Sequence, residues 1–295
     1  KVIVTKDINI GDIVIYCEVD TILPKENPAF AFLEGKRIRA KKMAGVVSQG
    51  IIFPLNTLPE GNYEIGQDVE DLLGATKWEP DIYNVKTKGG VQSTADFHPL
   101  VPKTDETRFQ NMGKEIIKNL GTECYITEKV DGSSFTFVKC NLIEKPEFYS
   151  RNQSQVEESP FGYIYNKVIV PIKEQLPENI AIQGEILGPT IQGNKYKLRD
   201  LTLKIFNVYD IANTKYYEFE ELINFCKTFN LQTVPVLNDN FILHNDWEKL
   251  ENLSKNKSTL LNTQDAEGIV IRSKKNINGQ MFSFKIINPE FLLKN

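Results

Sequence analysis

The chain has 295 residues, enough to bury a sizeable core as one large or two medium domains. Charged residues make up 25% and hydrophobic residues 41%, a globular balance that excludes a disordered chain. With 35 Lys and Arg against 39 Asp and Glu the net charge is −4, so any nucleic-acid binding must rest on local patches rather than on bulk charge. Only His98 and His244 are present, which argues against a histidine metal cage or a His-based triad. Cys17, Cys124, Cys140 and Cys226 lie far apart without CxxC spacing and read as reduced thiols of a cytoplasmic or otherwise intracellular protein. No apolar run approaches the length of a membrane span, and no signal peptide is evident, although the start reads as trimmed.

In chain order, residues 1–75 read as a small β-rich unit. Gly11-Asp12 is a turn before the strand Ile13-Val14-Ile15-Tyr16-Cys17, and the basic segment Lys36 to Lys42 leads into the run Gly45 to Phe53. Short strands punctuated by Gly and Pro suggest an OB-like β-barrel. Residues 76–98, with Pro80, Gly89 and Gly90, fit a linker, and a second domain spans 99–295. There the pattern predicts a helix over 105–120 stopped by Gly121, then strands near 134–140, 179–187, 201–211, 267–273 and 282–288. Two more helices fit 218–229, with Phe219, Leu222, Cys226 and Phe229 on one face, and 246–254, with Asn245 as cap. The fold class is therefore α+β, with antiparallel sheets flanked by helices.

The second domain carries six clusters in a fixed order. They are Glu128-Lys129-Val130-Asp131-Gly132, Ser150-Arg151-Asn152, Gln183-Gly184-Glu185-Ile186, Phe206-Asn207-Val208-Tyr209-Asp210, Glu267-Gly268-Ile269-Val270-Ile271-Arg272 and Ser283-Phe284-Lys285. Lys-x-Asp-Gly alone is an ordinary turn. In company it reads as a covalent nucleotidyl-transfer site, in which the lysine amine attacks the α-phosphate of a nucleoside triphosphate. Such an amine must shed a proton held with a pKa of ~10.4, which burial and a nearby cation would ease. A divalent cation, Mg²⁺ or Mn²⁺, held by Asp131, Glu185 and Glu267 through its waters or directly, would supply that charge. Phe206 can stack on a base, Lys285 can neutralise an α-phosphate, and Arg151 suits a ribose or an acceptor phosphate.

Taken singly, each residue has a plainer reading. Lys129 is a surface lysine before a turn, Phe206 is core, Arg151-Asn152 is a turn, and 36–42 is a solvated face. Glu185 and Glu267 would be buried partners of Arg272 or Lys285. The plain readings leave unexplained why a Lys-x-Asp-Gly turn, two strand carboxylates and a strand lysine occur together.

The segments EKVDGSS, SRN, IQGEI, KIFNVYD, EGIVIR and SFK resemble the covalent nucleotidyltransferase superfamily of DNA ligases, RNA ligases and messenger-RNA capping enzymes. An OB-like unit in front rather than behind, with the stretch from Pro102 to Asn111 and Ser48-Gln49-Gly50, resembles the RNA ligase 5 family of the Deinococcus and Naegleria type. The resemblance implies an OB domain followed by an adenylyltransferase, ATP-grasp-like ligase domain. It implies an ATP-dependent RNA ligase that joins 3′-hydroxyl and 5′-phosphate ends at nicks in duplex RNA or hybrids, acting as a monomer. Lys129 would carry AMP, which then passes to the 5′-phosphate before the 3′-hydroxyl displaces it. Asp131, Glu185 and Glu267 would organise a hydrated metal, Glu128 would read the adenine edge, and Phe206 would stack on the ring. Arg151 would contact the nucleotide and Lys285 the α-phosphate, with the OB domain helping to orient ATP and metal. Two positions depart from the pattern: Ser283 stands where many relatives have lysine, and Ala44 precedes Gly45 where a basic residue is expected. The alternatives are a DNA ligase, a GTP-dependent capping enzyme, and a non-catalytic nucleic-acid-binding protein built on the same two folds.

Overall fold

A computed structural model describes residues 1–43, 45–78 and 95–294. By contacts the chain divides into two units, Lys1–Ile82 with Pro289–Asn295, and Tyr83–Asn288. Residues 289–295, expected with the second domain, thus group with the first. Residues 79–94 of the expected linker, and Ala44, lie outside the described residues.

Among its described residues the first unit has six short strands: β1 (Val14–Cys17), β2 (Thr21–Ile22), β3 (Lys41–Met43), β4 (Val46–Ser48), β5 (Ile51–Pro54) and β6 (Thr76–Lys77). They form three antiparallel pairs, β1 with β5, β2 with β6, and β3 with β4, and the one-turn helix α1 (Glu70–Leu73) precedes β6. Alternation along β1 sends Ile15 and Cys17 inward, where they meet Leu23, Phe30, Ile38, Phe53, Leu58 and Leu73. The single run expected over 45–53 breaks at Gly50, whose φ of 134° and approach to the Cys17 carbonyl leave no room for a side chain. The basic segment is a salt-bridged face: Arg37 pairs with Asp20 at 2.8 Å and stacks over Trp78 at 3.6 Å, and Lys42 reaches Glu290 at 3.4 Å.

The second unit holds β7 (Glu123–Lys129), β8 (Ser133–Lys139), β9 (Phe148–Tyr149), β10 (Ile180–Leu187), β11 (Thr202–Asp210), β12 (Lys215–Tyr216), β13 (Val236–Ile242), β14 (Gly268–Ser273) and β15 (Ser283–Ile287). Two antiparallel sheets result, one ordered β12-β11-β10-β8-β9 and the other β13-β7-β14-β15. The helix expected over 105–120 shrinks to a 3-10 turn, Phe109–Asn111, and α2 (Gly113–Lys118). The cause is tertiary. Arg108 bridges to Lys285, and the Lys285 N–H donates to the Thr107 carbonyl at 2.8 Å, so the stretch before Phe109 runs extended along β15.

Three further helices are α3 (Pro160–Ile164), α4 (Phe219–Thr228) and α5 (Trp247–Leu253). α3 was not anticipated; it is capped by Ser159, which accepts from the Gly162 N–H, and runs on into a π-turn over Tyr165–Ile169. α4 carries a Glu218–Glu221 capping box and buries Phe219, Leu222, Phe225 and Cys226, as its apolar face requires. α5 is capped by Asp246 rather than by the expected Asn245: its carboxylate accepts from the Lys249 N–H at 3.1 Å. β7, β9, β12 and β13 were not anticipated either.

Each sheet has its own core on one face. Ile180, Ile182, Ile186, Leu203, Ile205 and the α4 face pack under the larger sheet. Cys124, Ile126, Ile269, Ile271, Phe284 and Ile286 pack under the smaller one, with Ile116 of α2 and Leu250 of α5. Period-two alternation then fixes what the opposite faces present. On β7 these are Thr127 and Lys129, on β14 Val270 and Arg272, on β15 Ser283 and Lys285.

Candidate active site

Between the two sheets lies an open-mouthed cleft. The smaller sheet contributes Thr127, Lys129, Arg272 and Lys285 to its wall; the larger sheet contributes Ser134, Glu185 and Phe206. Arg151 lines it as well. Phe206 arrives there through a break in strand register. Asn207 pairs with Gln183 and Ile205 with Gly184, so Phe206 is the extra residue of a β-bulge. A bulge re-aims a side chain, and this one brings Phe206, which taken singly reads as core, to the cleft.

Lys129 ends β7 opposite Gly268, which places it beside Glu267, the residue just before β14. Lys129 Nζ lies 2.7 Å from Glu267 Oε1, with the two side chains 26% and 15% exposed. Burial by itself would lower the Lys129 pKa, but Glu267, Glu185 and Asp131 together outweigh it and hold the ammonium above its ordinary value. The lowering that a nucleophile needs is therefore not supplied by the protein's charges alone.

Glu185, on β10, accepts from the Gly132 N–H at 3.1 Å. Burial pushes its pKa to about 8, Glu267 and Asp131 adding to the rise and Lys129 opposing it. Glu267 is raised likewise, by burial first. Among the described residues, no three carboxylate, thiol or imidazole groups converge closely enough to grip a bare ion. A hydrated ion needs no such convergence, and three carboxylates crowding one lysine form a donor set suited to it.

Gly132 occupies a position where only glycine fits. A Cβ there would stand 2.3 Å from the Ile186 carbonyl and 2.9 Å from Glu185 Cγ. Gly132→Ala is expected to push the Lys-x-Asp-Gly turn off β10 and to cut the rate of covalent nucleotide transfer by about 10²-fold, since misplacements near 1 Å cost that much. A variant labelled by nucleotide at the wild-type rate would contradict this.

The stretch 102–108 ties the two walls together. Gln183 donates to the Pro102 carbonyl at 2.8 Å, and Thr104 and Ser134 share a hydrogen bond of 2.6 Å. Glu106 receives Arg272 at 2.8 Å, and the Ser283 hydroxyl donates to the same carboxylate. Arg272 is thus the partner of Glu106, not of Glu185 or Glu267, and it lies 5.7 Å over the Phe206 ring. Ser283, where a lysine was expected, is an anchor for Glu106. Arg151 forms a two-pronged pair with Asp105 at the rim.

Glu128 is held by its own hydrogen bonds. It is 2% exposed, and both carboxylate oxygens are engaged: Ser258 donates to one, while the Thr259 N–H at 2.9 Å and hydroxyl at 2.6 Å donate to the other. Its acceptors hold the 258–259 loop, and the residue also lines the cleft beside Lys129. Asp131 is held from the other side. Its N–H donates to the Tyr196 phenol at 2.7 Å, and its carboxylate receives the Lys195 ammonium. Neither Lys195 nor Tyr196 carried a sequence signal beyond lying between two recognised motifs, and Glu106 lay unmarked in the Pro102–Asn111 stretch.

Comparison with known proteins agrees with this geometry. No curated protein matches the sequence significantly. The Naegleria gruberi RNA ligase matches in several solved forms: a variant with ATP and Mn (28% identity, 98% of this chain and 89% of that one, TM-score 0.86), a variant with AMP and Mn (28%, 99% and 90%, 0.87), and a form with PPi (29%, 99% and 89%, 0.84). An OB-fold domain model matches residues 1–55. The model described as RNA ligase matches residues 122–287, more than half the chain and every motif from Lys129 to Lys285, so the chain belongs to the RNA ligase family and is a ligase of the nucleotidyltransferase type.

Proposed function

We propose that this RNA ligase activates itself with ATP at Lys129 and seals nicks in duplex RNA or RNA hybrids. The observation that carries the reading is the placement of Lys129 Nζ 2.7 Å from Glu267 in a cleft that also presents Glu185, Phe206 and Lys285. Lys129 Nζ attacks the α-phosphorus of ATP; a nitrogen–phosphorus bond forms, and the bond to pyrophosphate breaks. An oxygen of the RNA 5′-phosphate then takes the AMP and frees the lysine. Finally the 3′-hydroxyl attacks that 5′-phosphate, and AMP leaves. A nick suits this sequence because the duplex holds both ends in place, so the last step is effectively intramolecular.

The adenine stacks on Phe206, whose ring is half-exposed on the cleft wall. Lys285 faces the α-phosphate, and Arg151, released from Asp105, faces the nucleotide or the acceptor phosphate. Glu267 Oε1 takes up the hydrogen-bonded proton of Lys129 as the amine attacks. A divalent cation, Mg²⁺ or Mn²⁺, supplies charge that neutralises the phosphate and favours the uncharged amine. Asp131, Glu185 and Glu267 are the residues that would hold it through its waters. Glu128, which lines the cleft and fixes the 258–259 loop, helps to read the adenine edge.

Among the described residues no helix is long and apolar enough to cross a membrane. The four cysteines are free thiols, three of them buried, which supports an intracellular setting. The protein acts as a monomer; sedimentation checks it.

Phe206→Ala should raise the KM for ATP roughly 5- to 150-fold, the worth of ~1–3 kcal/mol of base stacking, with Phe206→Trp close to wild type. The overall reading is tested on nicked duplexes. Sealing of RNA–RNA and RNA–DNA nicks above a DNA–DNA nick and above unpaired strands supports it. Equal sealing of unpaired strands, or preference for DNA ends, overturns it.

A further inference from the structure

The connection from β10 into β11 concentrates positive charge in a chain whose net charge is −4. Residues 195–204 hold Lys195, Lys197, Arg199 and Lys204 against one acid, Asp200. Asn194 fixes the shape of this loop by bonding both backbone groups of Leu198 at 2.9 Å. The loop is fastened at the end of the cleft where Lys129 emerges. The Tyr196 phenol receives the Asp131 N–H, and Tyr196 and Leu198 share one apolar cluster with Val130 and Phe206. Lys197 and Arg199 alternate with those two anchors and are exposed.

Lys204 continues the basic line onto β11. Leu203 and Ile205 on either side of it face the core beneath the larger sheet, so Lys204 faces the cleft side, where its register partner is Glu185. Its Nζ lies 2.8 Å from Gln232 Oε1, a neutral acceptor. Among the described residues no carboxylate forms an ion pair with Lys197, Arg199 or Lys204. Burial holds Lys204 below the ordinary lysine pKa, a desolvation cost that a neutral amide offsets only in part. A phosphate oxygen would offset it more fully. We infer that Lys197, Arg199 and Lys204 form a track for the phosphodiester backbone of the RNA whose ends are joined at the cleft. The three lie outside the lining of the cleft, so the phosphates they meet are those of the strand rather than those of ATP. The one aromatic ring of the segment, Tyr196, is buried, so the track grips phosphates and reads no bases. It supplies affinity for RNA and DNA backbones alike and leaves recognition of the 2′-hydroxyl to other residues. The inference deepens the nick-sealing reading and rests on it.

The test measures the affinity of the full chain for a nicked RNA duplex from about 50 to about 200 mM salt, and beside it the KM for the duplex in sealing and the KM for ATP in protein labelling. Circular dichroism confirms that each variant is folded. Lys204→Met should flatten the slope of log affinity against log salt by roughly 0.7 to 0.9, the share of one phosphate contact. Adding Lys197→Met and Arg199→Met should flatten it by roughly 2 to 3 and raise the KM for the duplex on the order of 10-fold, well beyond any rise in the KM for ATP. Lys204→Arg should keep the wild-type slope. Lys227→Met removes the same charge from α4, which packs on the core face of that sheet, and should stay within about two-fold of wild type. If the Lys204→Met and triple variants keep the wild-type slope while the wild type seals nicks, the track falls and the nick-sealing reading stands. If the KM for ATP rises as far as that for the duplex, the phosphates are the nucleotide's, and the track falls as well. Weaker binding with an unchanged slope would mark a merely structural role and also overturns the inference. If the wild type seals no nick, both readings fall.

Discussion

Lys129→Ala should leave no acid-stable label on the protein after incubation with ATP labelled at the α-phosphate, a fall on the order of 10⁴-fold or more. Among the described residues no other amine is placed to replace it. Lys195 is committed to Asp131, and Lys285 approaches from β15, where its register partner is Val270 rather than the Gly268 that faces Lys129. The variant should still seal a strand whose 5′-end already carries AMP, since Lys129 makes and breaks bonds only before that point. Loss of both activities would indicate that the lysine holds the cleft together rather than acting as the nucleophile. Retention of label would remove Lys129 from the chemistry altogether.

Glu185→Gln should separate activity from stability. Adenylation is expected to fall by about 10²- to 10³-fold, the size of effect seen when a group that stabilises developing charge is removed. The folded protein should melt at the same temperature as wild type or slightly higher. Burial has already pushed Glu185 to about 8, so the neutral amide replaces a carboxyl that the site itself disfavours in its charged form. The Gly132 N–H still finds an acceptor in the amide oxygen. Thermal melts beside single-turnover labelling would check both halves. A variant that melts far below wild type would show that the carboxylate is structural.

How much of this could be read from sequence depended on whether local pattern or long-range contact decided each element. α4 was legible because its apolar face, Phe219 to Cys226, repeats at helical spacing and belongs to one helix. β14 and β15 were legible as apolar runs. β7, the strand that carries Lys129, was not, because five successive residues from Cys124 to Glu128 are buried and two of them are polar. A strand enclosed on both faces loses the alternation that marks a half-buried one. The false helix over 105–120 failed for the opposite reason: its local signal was sound near Ile116, but hydrogen bonds to β15 claimed the residues before Phe109.

The site divides in the same way. Lys129, Glu185, Phe206, Arg151 and Lys285 all line the cleft, because short motifs with fixed spacing report one strand end or bulge each. Glu128 adjoins Lys129 in sequence and lines the cleft with it, but the bonds it accepts from Ser258 and Thr259 were not legible. The Lys195 and Tyr196 contacts with Asp131 span 64 and 65 positions of sequence, a separation that no motif spacing encodes. Glu106 meets Arg272 across 166 positions and Ser283 across 177.

The three bonds that Glu128 accepts from Ser258 and Thr259 link residues 130 and 131 positions apart. That carboxylate is next in sequence to the nucleophile, so the loop and the end of β7 cannot open separately without exposing a charge that has lost its partners. Deuterium should therefore enter the Thr259 amide only in the rare openings that also free the Gly268 and Lys129 backbones, and the three regions should exchange as one cooperative unit. The surface loop at 258–259 would in that case be among the slowest-exchanging irregular segments of the chain, its protection inherited from the strand that carries Lys129.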